Sequence, residues 1–134
     1  MNPVSKESLL LLAYLYLEHF KYEKALSLLK ALNILFPNDL TITRYLSYAY
    51  LKNNDFQSAL RYIELCLKNE TSLKLKIAAN IIKSKALWGL GKEEAARYAI
   101  SQAIDQTKLI PTPELSPEAI PASETESKQE TQKL

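Results

Sequence analysis

Glycine is nearly absent from this chain: 2 of 134 residues, Gly89 and Gly91. A sandwich or barrel needs turn residues that accept positive φ at many places, so this scarcity weighs against a β fold. The single cysteine, Cys66, excludes an internal disulfide framework and fits a reducing compartment. With one histidine, His19, the pair falls short of the three or four ligands of a structural metal site. No glycine-rich loop is available to cradle a phosphate, and no cofactor is expected. Long apolar runs are missing too. The longest, Leu9 to Leu17, is well short of the roughly 20 residues of a membrane helix. Its flank has Lys6 followed by Glu7, and no small-x-small cleavage site comes after it. We expect a helix of the folded domain there, not a leader or a membrane anchor.

The residues that are present favour helices: Leu, Ala, Lys and Glu dominate, and 47% of the chain is apolar, enough for one modest core. Charge is uneven. After Ile110 come Glu114, Glu118, Glu124, Glu126 and Glu130 against Lys128 and Lys133, a net of −3. The whole is +2, so the preceding residues carry +5. Their lysines are scattered and accompany no nucleic-acid motif, so they read as solvated helix faces, with no nucleic-acid partner.

An internal repeat organises the rest. Leu12, Ala13, Tyr16, Tyr22, Ala25 and Leu29 recur in the same order and at one constant offset as Leu46, Ser47, Tyr50, Phe56, Ala59 and Ile63. A period of about 34 residues, with this order of bulky, small and aromatic side chains, is that of the tetratricopeptide repeat, or TPR. Small residues let two helices approach, and the aromatics fill the space beside them. A third copy is shifted. Ala96, Ile100 and Ala103 match the second-helix positions and Leu90-Gly91 the turn, about three residues late. The insertion is expected in a loop around Asn69 to Leu75. The fold class is therefore all-α, a TPR solenoid of three helix-turn-helix repeats over residues 5–110. Helices are expected near 5–19, 22–35, 39–53, 56–68, 73–90 and 93–109.

Residues 111–134 alternate Pro111, Pro113, Pro117 and Pro121 with Ser, Thr and Glu and hold no aromatic residue. Such a composition buries too little area to offset its ordering entropy, and a disordered tail is expected. Cys66 stands at a small-residue position of its helix and is expected to be a buried structural thiol. His19 lies beside a turn, where a surface or capping place accounts for it. Glu93 and Glu94 open the last helix, where the dipole favours carboxylates.

In a TPR array the first helix of each hairpin lines a concave groove. The register places Leu10, Tyr14 and Leu17 there from the first repeat. Arg44, Tyr48 and Leu51 follow from the second, and Ile81, Lys85 and Trp88 from the third. A row of Tyr, Leu and Trp suits an amphipathic helix or an extended apolar segment of a protein partner. The basic and amide side chains that clamp a terminal carboxylate in heat-shock co-chaperones are missing, with Leu10 and Tyr14 in such places. A last helix with no polar cap implies an exposed apolar face, marginal stability alone and a hetero-oligomer in use.

The stretch LLLLAYLYLEHFKYEKALSLLKALNILFPNDLTITRYLSYAYLKNNDFQSAL, residues 9–60, resembles the small three-repeat TPR chaperones of bacterial type III secretion, the YscY-like and YscG-like proteins. The likeness extends over about residues 5–108. It rests on Leu-rich first helices and on the ALSLLKALNILFPND segment that closes the first hairpin. The resemblance implies a cytoplasmic chaperone without enzymatic activity. It would hold a needle subunit or early export protein by an amphipathic helix in the groove, at Tyr14, Tyr48, Arg44 and Trp88. An export-gate component is a further partner that it implies. The same features also suit a TPR adaptor held in a permanent assembly.

Overall fold

The computed structural model describes residues 5–111, so the tail expected from Pro111 lies, apart from that first residue, outside the described residues. Among them there are six helices and no strand: α1 (Lys6–Glu18), α2 (Tyr22–Leu35), α3 (Leu40–Lys52), α4 (Phe56–Asn69), α5 (Leu73–Gly89) and α6 (Glu93–Thr107). Four of them start on a side-chain cap. Ser5, Asp39, Asp55 and Ser72 accept from backbone N–H groups of the first turns of α1, α3, α4 and α5. Lys21 and Lys92 stand before α2 and α6 with no such bond. Those two helices follow tight hairpin turns that order the chain by other means.

The three hairpin turns share one geometry. Phe20, Asn54 and Gly91 hold positive φ values of 61°, 62° and 80°. The N–H groups of Lys21, Asp55 and Lys92 then donate to the carbonyls of Tyr16, Tyr50 and Leu87 at 2.7–2.9 Å. Those of Phe20, Asn54 and Gly91 donate to Leu17, Leu51 and Trp88 at 3.0–3.2 Å. This is the Schellman closure, which satisfies the last carbonyls of a helix. Glycine and asparagine take the left-handed conformation with little strain, whereas Phe20 does so at a steric cost.

Asn54 and Gly91 are thus three positions farther apart than Phe20 and Asn54. The inserted residues are not in a loop, as expected above. The α4–α5 connection is only Glu70–Ser72, and α5 has 17 residues against 13 in α1 and α3. The insertion is an additional N-terminal turn of α5, capped by Ser72 through the Leu75 N–H. Being close to one helical turn, it leaves the packing face nearly in phase. One side-chain bond shows this. Ser47 Oγ donates to the Ala59 carbonyl at 2.7 Å, and in the third hairpin Ser84 Oγ donates to Ala96 at 2.9 Å. In the first hairpin the same places hold Ala13 and Ala25, both fully buried.

Each helix packs on the next, and the short turns make neighbours antiparallel. Beyond sequence neighbours, the α3 backbone comes close to both α1 and α5, whereas the backbones of α2, α4 and α6 make no such approach to one another among the described residues. The array therefore curves with its odd-numbered helices inward. The core runs from Leu10, Leu29, Leu32, Ile42 and Leu46 to Ile63, Cys66, Ala86 and Leu87. Tyr48 and Tyr50 pack against both halves of it. The even helix α6 buries only Ala96, Ala99 and Ala103, so it adds close approach more than apolar area.

One ion pair joins the first hairpin to the second. Lys6 Nζ lies 2.6 Å from Asp39 Oδ2, while Oδ1 accepts from the Thr41 and Ile42 N–H groups. The Lys6 hydrogen bond, then the backbone donors, holds the Asp39 carboxyl below its ordinary range against the opposing effect of burial. A depressed folded-state value stabilises at pH above the unfolded value and is lost as pH falls through the folded one. Asp39→Asn keeps a good cap and removes the charge. We expect it to lower stability at neutral pH, with the two proteins converging in urea titrations as pH falls through the depressed folded-state value of Asp39.

Candidate functional site

The inner helices hold two kinds of large residue. Leu10, Leu17 and Leu51, expected to line the groove, are buried at 8%, 5% and 8% exposure. Their side chains fill the junctions between helices and are part of the core. Arg44 is also turned to structure: its Nη1 lies 3.6 Å from Glu70 Oε1, and both side chains are largely buried. The remaining expected residues are accessible. Tyr14 is exposed, Tyr48 half-buried, and Ile81, Lys85 and Trp88 exposed, the last at 56%.

These residues fall into one register. Tyr14 in α1, Tyr48 in α3 and Lys85 in α5 occupy the same position of successive inner helices, by the offsets that the turns set. Ile81, Lys85 and Trp88 form one stripe of α5 at i, i+4, i+7 spacing. At the α1 end, Glu7, Leu10, Leu11, Tyr14 and Tyr45 line an open depression of about 350 Å³. The Glu18 carboxylate, the largest influence, then partial burial and the neighbouring Tyr48 and Tyr45 push the Tyr14 phenol upward, so it remains a neutral hydrogen-bonding group. Lys52 Nζ sits 5.6 Å from the centre of the Tyr48 ring, which orients that ring and places a cation beside it.

Sequence reasoning passed over Leu11, Tyr45 and Lys52. Leu11 and Tyr45 stand one repeat apart, as Tyr14 and Tyr48 do, so the signal for them was present. Lys52 stood at a helix end and carried no apolar signal. Trp88 takes the place filled by Leu17 and Leu51 in the earlier repeats. Those leucines are covered, whereas Trp88 is not.

No group of three or more His, Cys, Asp or Glu suited to a metal occurs among the described residues. Cys66 is buried with its thiol 3.9 Å from the Leu40 carbonyl, and burial pushes that thiol upward, away from a reactive thiolate. His19 is an exposed C-cap residue of α1. On the outer side, Asn33, Pro37, Leu40, Tyr62 and Leu65 surround a cleft of about 430 Å³ where α2 and α4 splay apart. No convergent charged group aims into it. No helix among the described residues is long and apolar enough to cross a membrane. The sequence matches no protein-family model and no curated protein.

Proposed function

We propose that the three hairpins form a TPR array that binds another polypeptide along its inner face. The single observation that carries this reading is the accessible stripe Tyr14, Tyr48, Ile81 and Trp88, which runs across the three inner helices in one register. A helix of a soluble domain keeps large apolar side chains in water at a cost, and aligned aromatics of this kind are typical binding anchors. Lys52 and Lys85 border the stripe, so the ligand is an amphipathic helix or extended segment with an apolar face and some acidic character. The resemblance over residues 5–108 narrows the reading to a cytoplasmic chaperone of type III secretion. It keeps a small export substrate soluble, in a hetero-oligomer. The binding, and not catalysis, is the activity.

Co-expression with neighbouring small genes tests this. A small helical polypeptide that is insoluble alone is expected to co-purify. The double substitution Tyr48→Ala and Trp88→Ala is expected to weaken that complex by about 100-fold or more, as two aromatic anchors buried by the ligand imply. Both residues are accessible, so circular dichroism should show an unchanged helical domain. Unaltered affinity in the double variant would remove the inner face from the reading.

A further inference from the structure

The array ends on a helix face that the earlier hairpins keep covered. In each of the first two hairpins the second helix turns one stripe toward the helix that follows it. In α2 this stripe is Tyr22, Leu26, Leu29 and Asn33, and in α4 it is Phe56, Leu60, Ile63 and Leu67. Leu29 and Ile63, at the centre, are both 0% exposed. The turn offsets carry the stripe to Glu93, Arg97, Ile100 and Ile104 of α6. No helix follows α6 among the described residues. Ile100 is 36% exposed and Ile104 54%, in places that a neighbour covers elsewhere. Glu93 and Arg97 stand where α4 has Phe56 and Leu60, so the first half of the stripe is charged and the second half is still a contact surface.

The charges of α6 favour one occupant, a second copy of the same helix. Glu94 lies near its start, Lys108 at its end, Arg97 and Asp105 between them, and Ser101 midway. All five are exposed. At about 100° per residue they fall within about 80° of one another, on the side adjoining the two isoleucines. A copy laid antiparallel about Ser101 sets Glu94 opposite the Lys108 of the other copy and Arg97 opposite its Asp105, and two-fold symmetry makes each pair twice. The same register staggers Ile100 and Ile104 of the two copies at steps of about 3 Å along the axis, so the four side chains interleave. Within one copy Arg97 lies 3.8 Å from Glu93 and Lys108 3.8 Å from Asp105, with side chains 60–73% exposed. Such exposed pairs are weak, and each cation keeps donors for a second carboxylate.

Extension of the array by the first hairpin of another copy is disfavoured by the same charges. Phe56 lies against Gly89 where α4 meets α5. The corresponding residues are Glu93 at the open end and Glu18 in α1, so end-to-end stacking would bring two carboxylates together.

We propose that α6 is a self-association surface, on which two copies of the chain pack α6 against α6, antiparallel about Ser101, through Ile100, Ile104 and the Glu94–Lys108 and Arg97–Asp105 pairs between copies. The contact is one helix wide, well under the roughly 800 Å² per partner of a standard interface, so its dissociation constant is about 10–100 μM. It goes beyond the groove reading and does not rest on it, because Tyr14 and Tyr48 lie outside the contact.

Sedimentation equilibrium of the full chain without a partner, from about 2 to 500 μM, tests this. The mass should rise from that of one chain to that of two. Ile104→Glu should stay a monomer throughout. Arg97→Glu and Asp105→Arg should each weaken association by about tenfold or more, since two pairs in the dimer become repulsive. An equimolar mixture of these two variants should regain about the affinity of the unaltered chain, because each supplies the charge that the other's partner position requires. The substituted residues are exposed, and circular dichroism verifies that the helices are kept. A monomer at every concentration overturns the proposal, as does growth past the dimer, the mark of end-to-end stacking. A dimer indifferent to Ile104→Glu places the contact elsewhere, and a mixture no tighter than its components removes the antiparallel register; either result overturns it. Co-purification of a partner judges the groove separately.

Discussion

Arg44→Met is expected to destabilise the domain by about 3 kcal/mol, a large share of the stability of a protein this size. The substitution keeps most of the side-chain volume and removes the charge together with its N–H donors. It strands Glu70, whose side chain is 7% exposed and whose Oε1 has no hydrogen-bond partner beyond the 3.6 Å approach of Arg44 Nη1. Glu70 Oε2 is already committed, accepting from the N–H groups of Thr71 and Ser72 at 3.0 and 3.1 Å. Those bonds hold the short bend between α4 and α5, so the carboxylate is fixed and cannot turn to water. A second substitution, Glu70→Gln, retains an oxygen for the two N–H groups and removes the stranded charge. The double variant should recover most of the loss, since replacing both partners of a buried pair costs much less than removing one. Urea unfolding of the three variants measures this. A loss under about 1 kcal/mol for Arg44→Met would show that water reaches the pair.

Gly89→Ala is the second large effect expected, and its sign opposes helix propensity. Alanine is favoured over glycine inside a helix by about 1 kcal/mol. Here a Cβ would fall 2.5–2.6 Å from Cγ, Cδ1 and Cδ2 of Phe56, against a rigid ring at the start of α4. Relief requires the ring, and with it the first turn of α4, to move away from α5. Overpacking of this kind costs about 1–3 kcal/mol, so a net loss of about 1–2 kcal/mol is expected. Phe56→Leu in the same protein should make Gly89→Ala neutral or favourable, and thermal melts of the four proteins close that cycle. The equivalent place in the second hairpin is Lys52, an exposed residue. Gly89 therefore serves the close passage of α4 and α5, while Gly91, at φ 80°, serves the turn.

The helices and their pairing were legible chiefly from the recurrence of about 34 residues, and several also carry their own punctuation. Asp39, Asp55 and Ser72 announce starts, and Asn54 and Gly91 announce ends. Phe20 shows the limit of residue type, since it adopts the left-handed turn that its chemistry resists. The insertion was read at the right part of the chain and given the wrong form. Three added residues next to a serine cap look the same in sequence whether they extend a loop or a helix.

The inner face was harder to read for a physical reason. In α1 apolar residues occur on every side, so periodicity does not say which leucines a neighbour will cover. Leu10 and Leu17 are covered, and Leu11, at 59% exposure, is not. That choice is made by the placement of α2 and α3, a tertiary matter. The pairing of Arg44 was hidden likewise, because its partner Glu70 lies beyond the whole of α4 and nothing local couples them. Tyr14, Tyr48 and Trp88 are accessible where the stripe was drawn.

The contact pattern of the helices also governs how the array can deform. Its inner helices already lie close, α1 to α3 and α3 to α5, while the outer ones stand apart. Curling the array more tightly would compress side chains that are already packed, and protein interiors resist that steeply. Uncurling meets only open space on the outside and the loss of a few inner contacts. The molecule thus behaves as a spring with a stop on one side. Its resting curvature is the tightest that its packing allows, and deformation proceeds by opening from there.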